Sequence, residues 1–206
     1  MANDDGCGAG DRRQGGQQGD APGALPAEEG NPWVHGAPAV ERIEVVAYDE
    51  AWPGRYAVLR DRIREVLVDG ILDITHVGST AVPGLAAKDV IDIDLVVADP
   101  RREETYVPQL AALGYDLTVR EPWWHEHRML RLAQPRVNLH VFGPGAPEPV
   151  RHLRFRDWLR SHPDDCDLYA TAKSAAAPGA RHAMEYNARK EAVVQRIYAR
   201  MHAAEG

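Results

Sequence analysis

The sequence predicts an α+β fold, in which a mixed β-sheet is flanked by helices and followed by a helical C-terminal cap. Apolar and polar residues alternate in several short segments between residues 40 and 145, as they do in strands. Between these segments, apolar residues recur at three- and four-residue steps, as they do in helices. After the stretch GPGAPEP, at residues 143–149, only the helical spacing continues.

The first 39 residues differ from the rest of the chain in composition. They contain nine glycines and four prolines and few large apolar residues. Such a segment buries too little apolar surface to offset its ordering entropy, so we expect a disordered tail over residues 1–39. We expect the α/β core over residues 40–145 and a helical C-terminal segment that packs on it over residues 146–206.

The elements of the core and cap follow in chain order from the same patterns. Alternation over Ile43–Ala47 predicts a first strand, and the apolar spacing after Pro53 predicts a first helix. Gly114 is expected to end a second helix. Further strands are predicted at Ile71–His76, Val90–Val97, Tyr115–Val119, Arg128–Ala133 and Val137–Phe142, and helices at Arg102–Leu113, Val150–Ser161, Asp164–Ala176 and Arg181–Met201.

Composition and charge argue against several classes of protein. The chain is 44% hydrophobic and 27% charged, which is typical of a globular protein, and no apolar stretch approaches the length of a membrane span. Only two, widely separated cysteines and no apolar leader at the N-terminus favour the cytoplasm. The net charge is −7, and residues 151–206 carry ten basic against seven acidic residues. This surplus is too small for a polyanion, so we expect neither a nucleic-acid nor a membrane partner.

The stretch HVGSTAVPGLAAKDVIDIDLVV, at residues 76–97, carries the candidate site. Asp92 and Asp94 alternate along an apolar strand and therefore share one of its faces. Their α-carbons lie about 6–7 Å apart, a spacing that lets two carboxylates hold a hard cation. Upstream, the Gly78-Ser79 turn supplies backbone N–H groups that can hold a phosphate. An Asp-x-Asp pair alone also occurs on ordinary exposed strands.

This stretch closely resembles the signature of the GrpB family, a branch of the nucleotidyltransferase superfamily. The resemblance continues through NLHVF and RHLRFRDWLRSHP and covers roughly residues 42–200. It implies a nucleotidyltransferase-like sheet in which Gly78 and Ser79 hold a nucleoside triphosphate, with ATP as the expected nucleotide. Asp92 and Asp94 would bind Mg²⁺ or Mn²⁺.

The activity that the resemblance implies is transfer of a nucleotidyl group from the triphosphate to a small-molecule acceptor, or activation of a carboxylate. The alternative is a non-catalytic binding or folding-assistance module, since relatives of this domain occur fused to dephospho-CoA kinase. The chain contains no Gly-x-x-x-x-Gly-Lys-Ser/Thr loop and is therefore not itself that kinase.

The sequence departs from the superfamily at the third carboxylate, which the superfamily carries on a neighbouring strand. The matching strand reads VNLHVF, and His140 stands where that acid is expected. We consider three roles for His140: general base, metal ligand, or structural partner of Asp92 or Asp94. His125 and His127 have the spacing of zinc ligands on a strand, but no Cys or carboxylate follows nearby at matching spacing, so we expect ordinary surface or core histidines.

Several further residues are candidates for phosphate contacts. Lys88 follows the Pro-Gly turn, and Thr80 lies in the loop itself, where it is either a contact or a turn cap. Arg128 and Arg131 lie three residues apart on one strand, so at most one can face the site.

Two Tyr-x-x-x-Lys pairs lie on the predicted C-terminal helices. Tyr169 precedes Lys173, and Tyr186 precedes Lys190, each by four residues, which places each pair on one helix face. We expect Lys173 and Lys190 to reach an anion in the cleft, with a solvated helix face as the alternative. His152 and Arg156 are expected to join them.

Overall fold

The structure, a computed structural model, describes residues 30–37 and 40–205, and these form one sheet with helices around it. The strands are β1 (Ile71–Val77), β2 (Ile91–Val97), β3 (Asp116–Glu121), β4 (His127–Leu132) and β5 (Val137–Phe142). The α-helices are α1 (Trp52–Leu67), α2 (Val107–Ala112), α3 (Pro147–Ser161), α4 (Pro163–Ala176) and α5 (Ala183–Glu205), and 3₁₀ turns span Ser79–Ala81 and Glu103–Thr105.

The sheet is mixed, and its strand order is β1-β2-β5-β4-β3. β2 and β5 run parallel at its centre, while the three other pairings are antiparallel. The predicted α+β class, with a mixed sheet flanked by helices, is therefore confirmed.

The two faces of the sheet have different chemistry. Ile91, Ile93 and Leu95 are buried in the main core under α1 and α2. Because side chains alternate along β2, Asp92 and Asp94 point to the opposite face. The strand thus keeps its carboxylates out of the apolar core without interrupting it.

The C-terminal helices form a second core with the loop after β1. Val82 and Leu85 of that loop pack against Leu159, Tyr169 and Ile197 of the helices. This packing fixes the helices beside the carboxylate face of the sheet and fixes the loop at the same time.

Two predicted elements differ in the structure. The strand predicted at Ile43–Ala47 is wrong, because Val46 makes a single bridge with Ala87, in the loop after Gly84, and does not join the sheet. The helix predicted at Arg102–Leu113 is split into a 3₁₀ turn and α2. Pro108, in the first turn of α2, has no N–H to donate to the preceding turn, so the α-helix begins beside it.

Part of the predicted tail is ordered against the sheet. Trp33 bridges to Val119 on the outer edge of β3, and the backbone of Val34 donates to the carbonyl oxygen of Thr118 at 3.0 Å. The prediction of disorder therefore fails here, because an edge strand offers unpaired backbone groups. Residues 1–29 and 38–39 of that tail lie outside the described residues.

In the described part of the chain, no helix combines the length and apolarity needed to cross a bilayer.

Candidate active site

The glycine of the phosphate-loop candidate touches the first carboxylate. Gly78 has φ +69° and ψ −171°, a region open almost exclusively to glycine. A Cβ at this position would overlap Oδ2 of Asp92 and lie 3.0 Å from its Cγ. Val77 pairs in register with Asp92, which brings the loop to this point. The predicted meeting of loop and acidic strand is therefore present in the fold.

The two carboxylates are held by an amide and by a histidine. Asn138 Nδ2 donates to Asp92 Oδ1 at 2.8 Å, and His152 Nδ1 lies 2.8 Å from Asp94 Oδ2. Asp94 is 2% exposed, and its Oδ1 has no hydrogen-bond partner among the described residues. A buried oxygen without a partner is costly, so the pair is incompletely compensated.

The acidic pair suits a magnesium ion that also takes ligands from a substrate. Burial raises the pKa of Asp92, although the hydrogen bond from Asn138 and the charge of Lys88 act against that rise. A cation would offset this cost and use the free oxygen of Asp94. Among the described residues no third acidic, His or Cys side chain completes a metal cage. Magnesium is commonly held by one or two carboxylates together with phosphate oxygens and water, which this donor set fits.

His140 lies next to the acidic pair, and its ring is hydrogen-bonded to another histidine. In the parallel register of β2 and β5, it stands beside Asp94. Its Nδ1 lies 3.0 Å from Nε2 of His127, and no bond to either aspartate is present in the described structure. Burial, followed by the neighbouring His127, lowers the pKa of His140 to about 3, so its ring is neutral. The histidine that contacts one of these two aspartates is His152, on α3.

The opposite wall carries lysines interleaved with tyrosines. Lys190 Nζ lies 5.4 Å from the ring of Tyr169 and 5.5 Å from the ring of Tyr186. Lys173 Nζ lies 5.2 Å from the Tyr169 ring, and Lys88 Nζ lies 5.5 Å from the Tyr186 ring. The two Tyr-x-x-x-Lys pairs thus bring their own two amines and that of Lys88 into one cluster.

Lys173 is the most deeply buried of these amines. It is 2% exposed, and its Nζ donates to the carbonyl oxygen of Ala86 at 2.6 Å. Burial, followed by repulsion from Lys190, lowers the pKa of Lys173 to about 7. An amine held in this state gains its charge when an anion binds beside it.

The other candidate residues divide between the cavity and the scaffold. Ser79 lines the cavity with Gly78. Thr80 is buried and donates to the carbonyl oxygen of Val90 at 3.2 Å, so its hydroxyl holds the loop in place. Lys88 lines the cavity and pairs with Glu41 at 3.7 Å.

The two arginines of β4 take opposite faces, as their spacing predicts. Arg131 lines the cavity and has a buried Nε without a partner among the described residues. Arg128 instead donates to Glu103 at 2.7 Å, beyond the cavity wall. The prediction that Arg128 faces the site is therefore wrong, and Arg131 faces the cavity instead, because alternation along the strand turns the two side chains apart.

Comparison with known proteins identifies the family of this chain. The model of the family described as GrpB protein matches residues 42–200. The chain belongs to the GrpB family. It is 46% identical over 162 residues to the UPF0157 protein BH1888 of Halalkalibacterium halodurans, covering 78% of this chain and 83% of that protein.

Two further matches place the GrpB unit in context. The crystal structure of the conserved protein GrpB from Enterococcus faecalis superposes with a TM-score of 0.67 at 27% identity, covering 77% of this chain and 96% of that one. A dephospho-CoA kinase of Mycolicibacterium paratuberculosis is 30% identical over 161 residues, covering 65% of this chain and 39% of that protein. The GrpB unit is thus a part of that longer relative.

The cavity of this GrpB chain lies between the sheet and the C-terminal helices. Its volume is about 450 Å³, within the range of small-molecule sites. A more open groove of about 1060 Å³ lies beyond the wall formed by Arg131 and Asn138 and does not include Asp92 or His140. Asp92 and His140 therefore belong to the smaller cavity, whereas Lys88 and Arg131 border both.

The sequence did not reveal the contacts of three residues within this site. Strand alternation places Asn138 on the correct face but does not reveal its bond to Asp92. The sequence predicts that His152 joins the lysines around an anion in the cleft, whereas its ring lies 2.8 Å from the carboxylate of Asp94. Glu148 lines the cavity, is 3% exposed and lies 3.9 Å from His152 Nε2, yet no sequence signal distinguishes it from other acidic residues at a helix start.

Proposed function

We propose that this protein is a metal-dependent nucleotidyltransferase, which transfers a nucleotidyl group from a nucleoside triphosphate, ATP foremost, to a small-molecule acceptor. The observation that carries this proposal is the contact between Gly78 and the carboxylate of Asp92. It supports the proposal because a turn of the kind that binds phosphate and an acid of the kind that binds cations meet at one point of the cavity.

The residues of the proposed site divide into three roles. Asp92 and Asp94 hold Mg²⁺ or Mn²⁺, which supplies charge neutralisation for the phosphates when bound. Gly78 and Ser79 bind the triphosphate through the loop. Lys88, Lys173, Lys190 and Arg131 surround its remaining oxygens, where fixed cations offset developing charge best.

The transfer itself balances without any further reactant. An acceptor oxygen or nitrogen forms a bond to the α-phosphorus, while the bond between that phosphorus and the bridging oxygen to the β-phosphate breaks. Pyrophosphate leaves with the electron pair of the broken bond. The acceptor proton passes to a base, for which neutral His140 is the candidate in the cavity wall.

Calorimetry with ATP, GTP, CTP and UTP, with and without Mg²⁺, tests the proposal together with a pyrophosphate-release assay. We expect metal-dependent nucleotide binding by the unmodified protein and its loss in Asp92→Asn and Asp94→Asn. The matched control is Asp99→Asn, which removes a partly exposed carboxylate that pairs with Arg101 just beyond the far end of β2. Unchanged pyrophosphate release by folded Asp92→Asn would refute the enzymatic assignment.

A non-catalytic binding or folding-assistance module is the second candidate. It is favoured by the match within the longer dephospho-CoA kinase of Mycolicibacterium paratuberculosis. Under this alternative, no nucleotide binds with or without metal, and a stable protein partner is recovered instead. The calorimetric series above therefore separates the two functions directly.

A further inference from the structure

A row of three titratable side chains runs across β3, β4 and β5 and ends at the cavity. Glu121 Oε2 lies 2.7 Å from Nδ1 of His127, and Nε2 of His127 lies 3.0 Å from Nδ1 of His140. Glu121 is 6% exposed and His127 is 3% exposed, whereas His140 lines the cavity. The row therefore connects a buried acid to the candidate active site.

Strand register and aromatic packing hold this row in place. Glu121 and His127 are paired residues of the antiparallel strands β3 and β4. The ring of His127 stacks on Phe142 with 4.8 Å between ring centroids, and it lies nearly parallel to the ring of His140 with 5.2 Å between centroids. Trp124 packs edge-on against His127, with 5.1 Å between centroids. These apolar contacts leave the two ring nitrogens of His127 facing only Glu121 and His140 in the described structure.

The hydrogen-bond roles follow from the acid at the end of the row. An ionised Glu121 only accepts hydrogen bonds, so His127 must carry its proton on Nδ1. The Nε2 of neutral His127 is then an acceptor, and His140 must donate to it from Nδ1. A neutral imidazole carries one proton on its two nitrogens. With that proton on Nδ1, Nε2 of His140 is unprotonated and has a lone pair on the side away from His127.

We propose that Glu121 and His127 are positioning residues that hold His140 with its proton on Nδ1 and a lone pair on Nε2 at the cavity. This arrangement excludes His140 as a hydrogen-bond donor to Asp94. It accords with the position of His152, whose Nδ1 occupies that carboxylate instead.

We call the row of Glu121, His127 and His140 the relay. The relay provides the base for the proposed function, and its catalytic role rests on that function. When the acceptor loses its proton to Nε2, the resulting imidazolium still donates through Nδ1 to His127. Its positive charge is formed next to Asp94 in the strand register, which opposes the burial that lowers the pKa of His140. The same lone pair is also the one that a metal ion would use, so both remaining roles of His140 require this tautomer.

Ring ¹⁵N NMR of the full chain, without nucleotide or metal, tests the tautomer directly. The spectrum is recorded well above pH 7, because burial raises the pKa of Glu121 to about 7. We expect a protonated-type signal for His140 Nδ1 and an unprotonated-type signal for Nε2. The opposite assignment in the unmodified protein would overturn the relay.

Two variants remove the relay in different ways. Glu121→Leu removes the acceptor, and His127→Phe keeps an aromatic ring in the stack but removes both hydrogen bonds. In each, we expect the His140 signals to lose the single-tautomer pattern. Glu126→Gln is the control, because it changes an acid of the adjoining loop and leaves the row intact. Unchanged His140 signals in both folded variants would contradict the proposal.

Kinetics provide the functional arm and separate this inference from the proposed function. If the protein turns over nucleotide, Glu121→Leu is expected to lower kcat by about 10- to 100-fold with KM for the nucleotide unchanged, as loss of a supporting hydrogen bond does elsewhere. A confirmed tautomer in a protein without turnover would overturn the enzymatic function and leave the relay standing. Normal kcat in Glu121→Leu would overturn the positioning role.

Discussion

The two walls of the cavity differ in charge and in construction. The sheet wall presents Asp92 and His140 from the neighbouring strands β2 and β5, with Asp94 buried beside His140. The helical wall presents Lys173 and Lys190 from α4 and α5, which reach the sheet by packing on the loop after β1. Each wall buries charge that its own elements compensate incompletely. A metal–triphosphate complex carries both signs and would complement both walls at once.

This difference in construction determines which wall of the cavity tolerates substitutions. The sheet wall depends on contacts within one strand pair and one loop, where an added atom has nowhere to go. The helical wall depends on long side chains, which can adjust their rotamers around a ligand. We therefore expect substitutions on the sheet wall to abolish binding and those on the helical wall to weaken it.

The largest expected effect comes from Gly78→Ala. The added Cβ overlaps the Asp92 carboxylate, and the backbone conformation costs a non-glycine residue about 1–3 kcal/mol. We expect metal-dependent nucleotide binding to disappear in calorimetry, with a lower free energy of unfolding. Gly84→Ala is the matched control, because Gly84 also has positive φ, at +77°, but a Cβ added there would meet nothing within 4 Å. Equal nucleotide affinity in the two variants would disprove the loop–carboxylate contact.

An intermediate effect is expected from Lys173→Met on the helical wall. Methionine preserves most of the buried volume but removes the amine that a phosphate would charge. A hydrogen bond to a charged group contributes about 1.5–3 kcal/mol, which corresponds to about 10- to 100-fold in affinity. The dissociation constant for the nucleotide, measured by calorimetry with Mg²⁺, should rise by that factor while unfolding remains cooperative. An unchanged constant would remove Lys173 from the site.

The affinity should also depend on pH through the same amine. The pKa of Lys173 is lowered to about 7 in the free protein, so the amine is charged below that pH and mainly neutral above it. A bound polyphosphate raises this pKa, so binding above pH 7 takes up a proton. The affinity is therefore highest below pH 7 and falls by at most about tenfold per pH unit above it. Calorimetry in buffers of different ionisation enthalpy measures the uptake.

Variants at the two lysines show which amine takes up the proton. Lys173→Met should abolish the buffer dependence. In Lys190→Met the uptake should persist but become smaller, because burial of Lys173 remains while the repulsion from Lys190 is lost. Full buffer dependence in Lys173→Met would assign the proton to another group.

The sheet wall was predictable from sequence because its contacts are local. The side chains of Asp92 and Asp94 share a face by strand alternation alone, and Gly78 reaches them through one loop of the same β1-loop-β2 unit. The placement of His140 beside Asp94 followed once the two strands were recognised as neighbours. Periodicity and one motif were sufficient for the carboxylates and the loop, whereas the neighbouring strand of His140 was implied by the resemblance to the nucleotidyltransferase superfamily.

The relay and the partner of Asp94 were not predictable in this way. His152 reaches Asp94 from α3, and the crossing of a helix over a sheet is set by packing rather than by local pattern. The register that pairs Glu121 with His127 depends on the turn between β3 and β4, where His125 and Glu126 both adopt positive φ. The residue types of His125 and Glu126 do not predict a positive φ, which is uncommon outside glycine.

The smallest effect on nucleotide binding is expected from Arg128→Met, which compares the two faces of β4 in one strand. Arg128 is 5% exposed and bonds Glu103, so its loss leaves that acid with Arg120 alone and lowers the free energy of unfolding by about 1–3 kcal/mol. Nucleotide affinity should not change, because the side chain points away from the cavity. Arg131→Met should show the reverse, with weaker nucleotide binding and little loss of stability. Urea denaturation and calorimetry on both variants measure the contrast, and weaker nucleotide binding in Arg128→Met would mean that the strand presents its other face to the ligand.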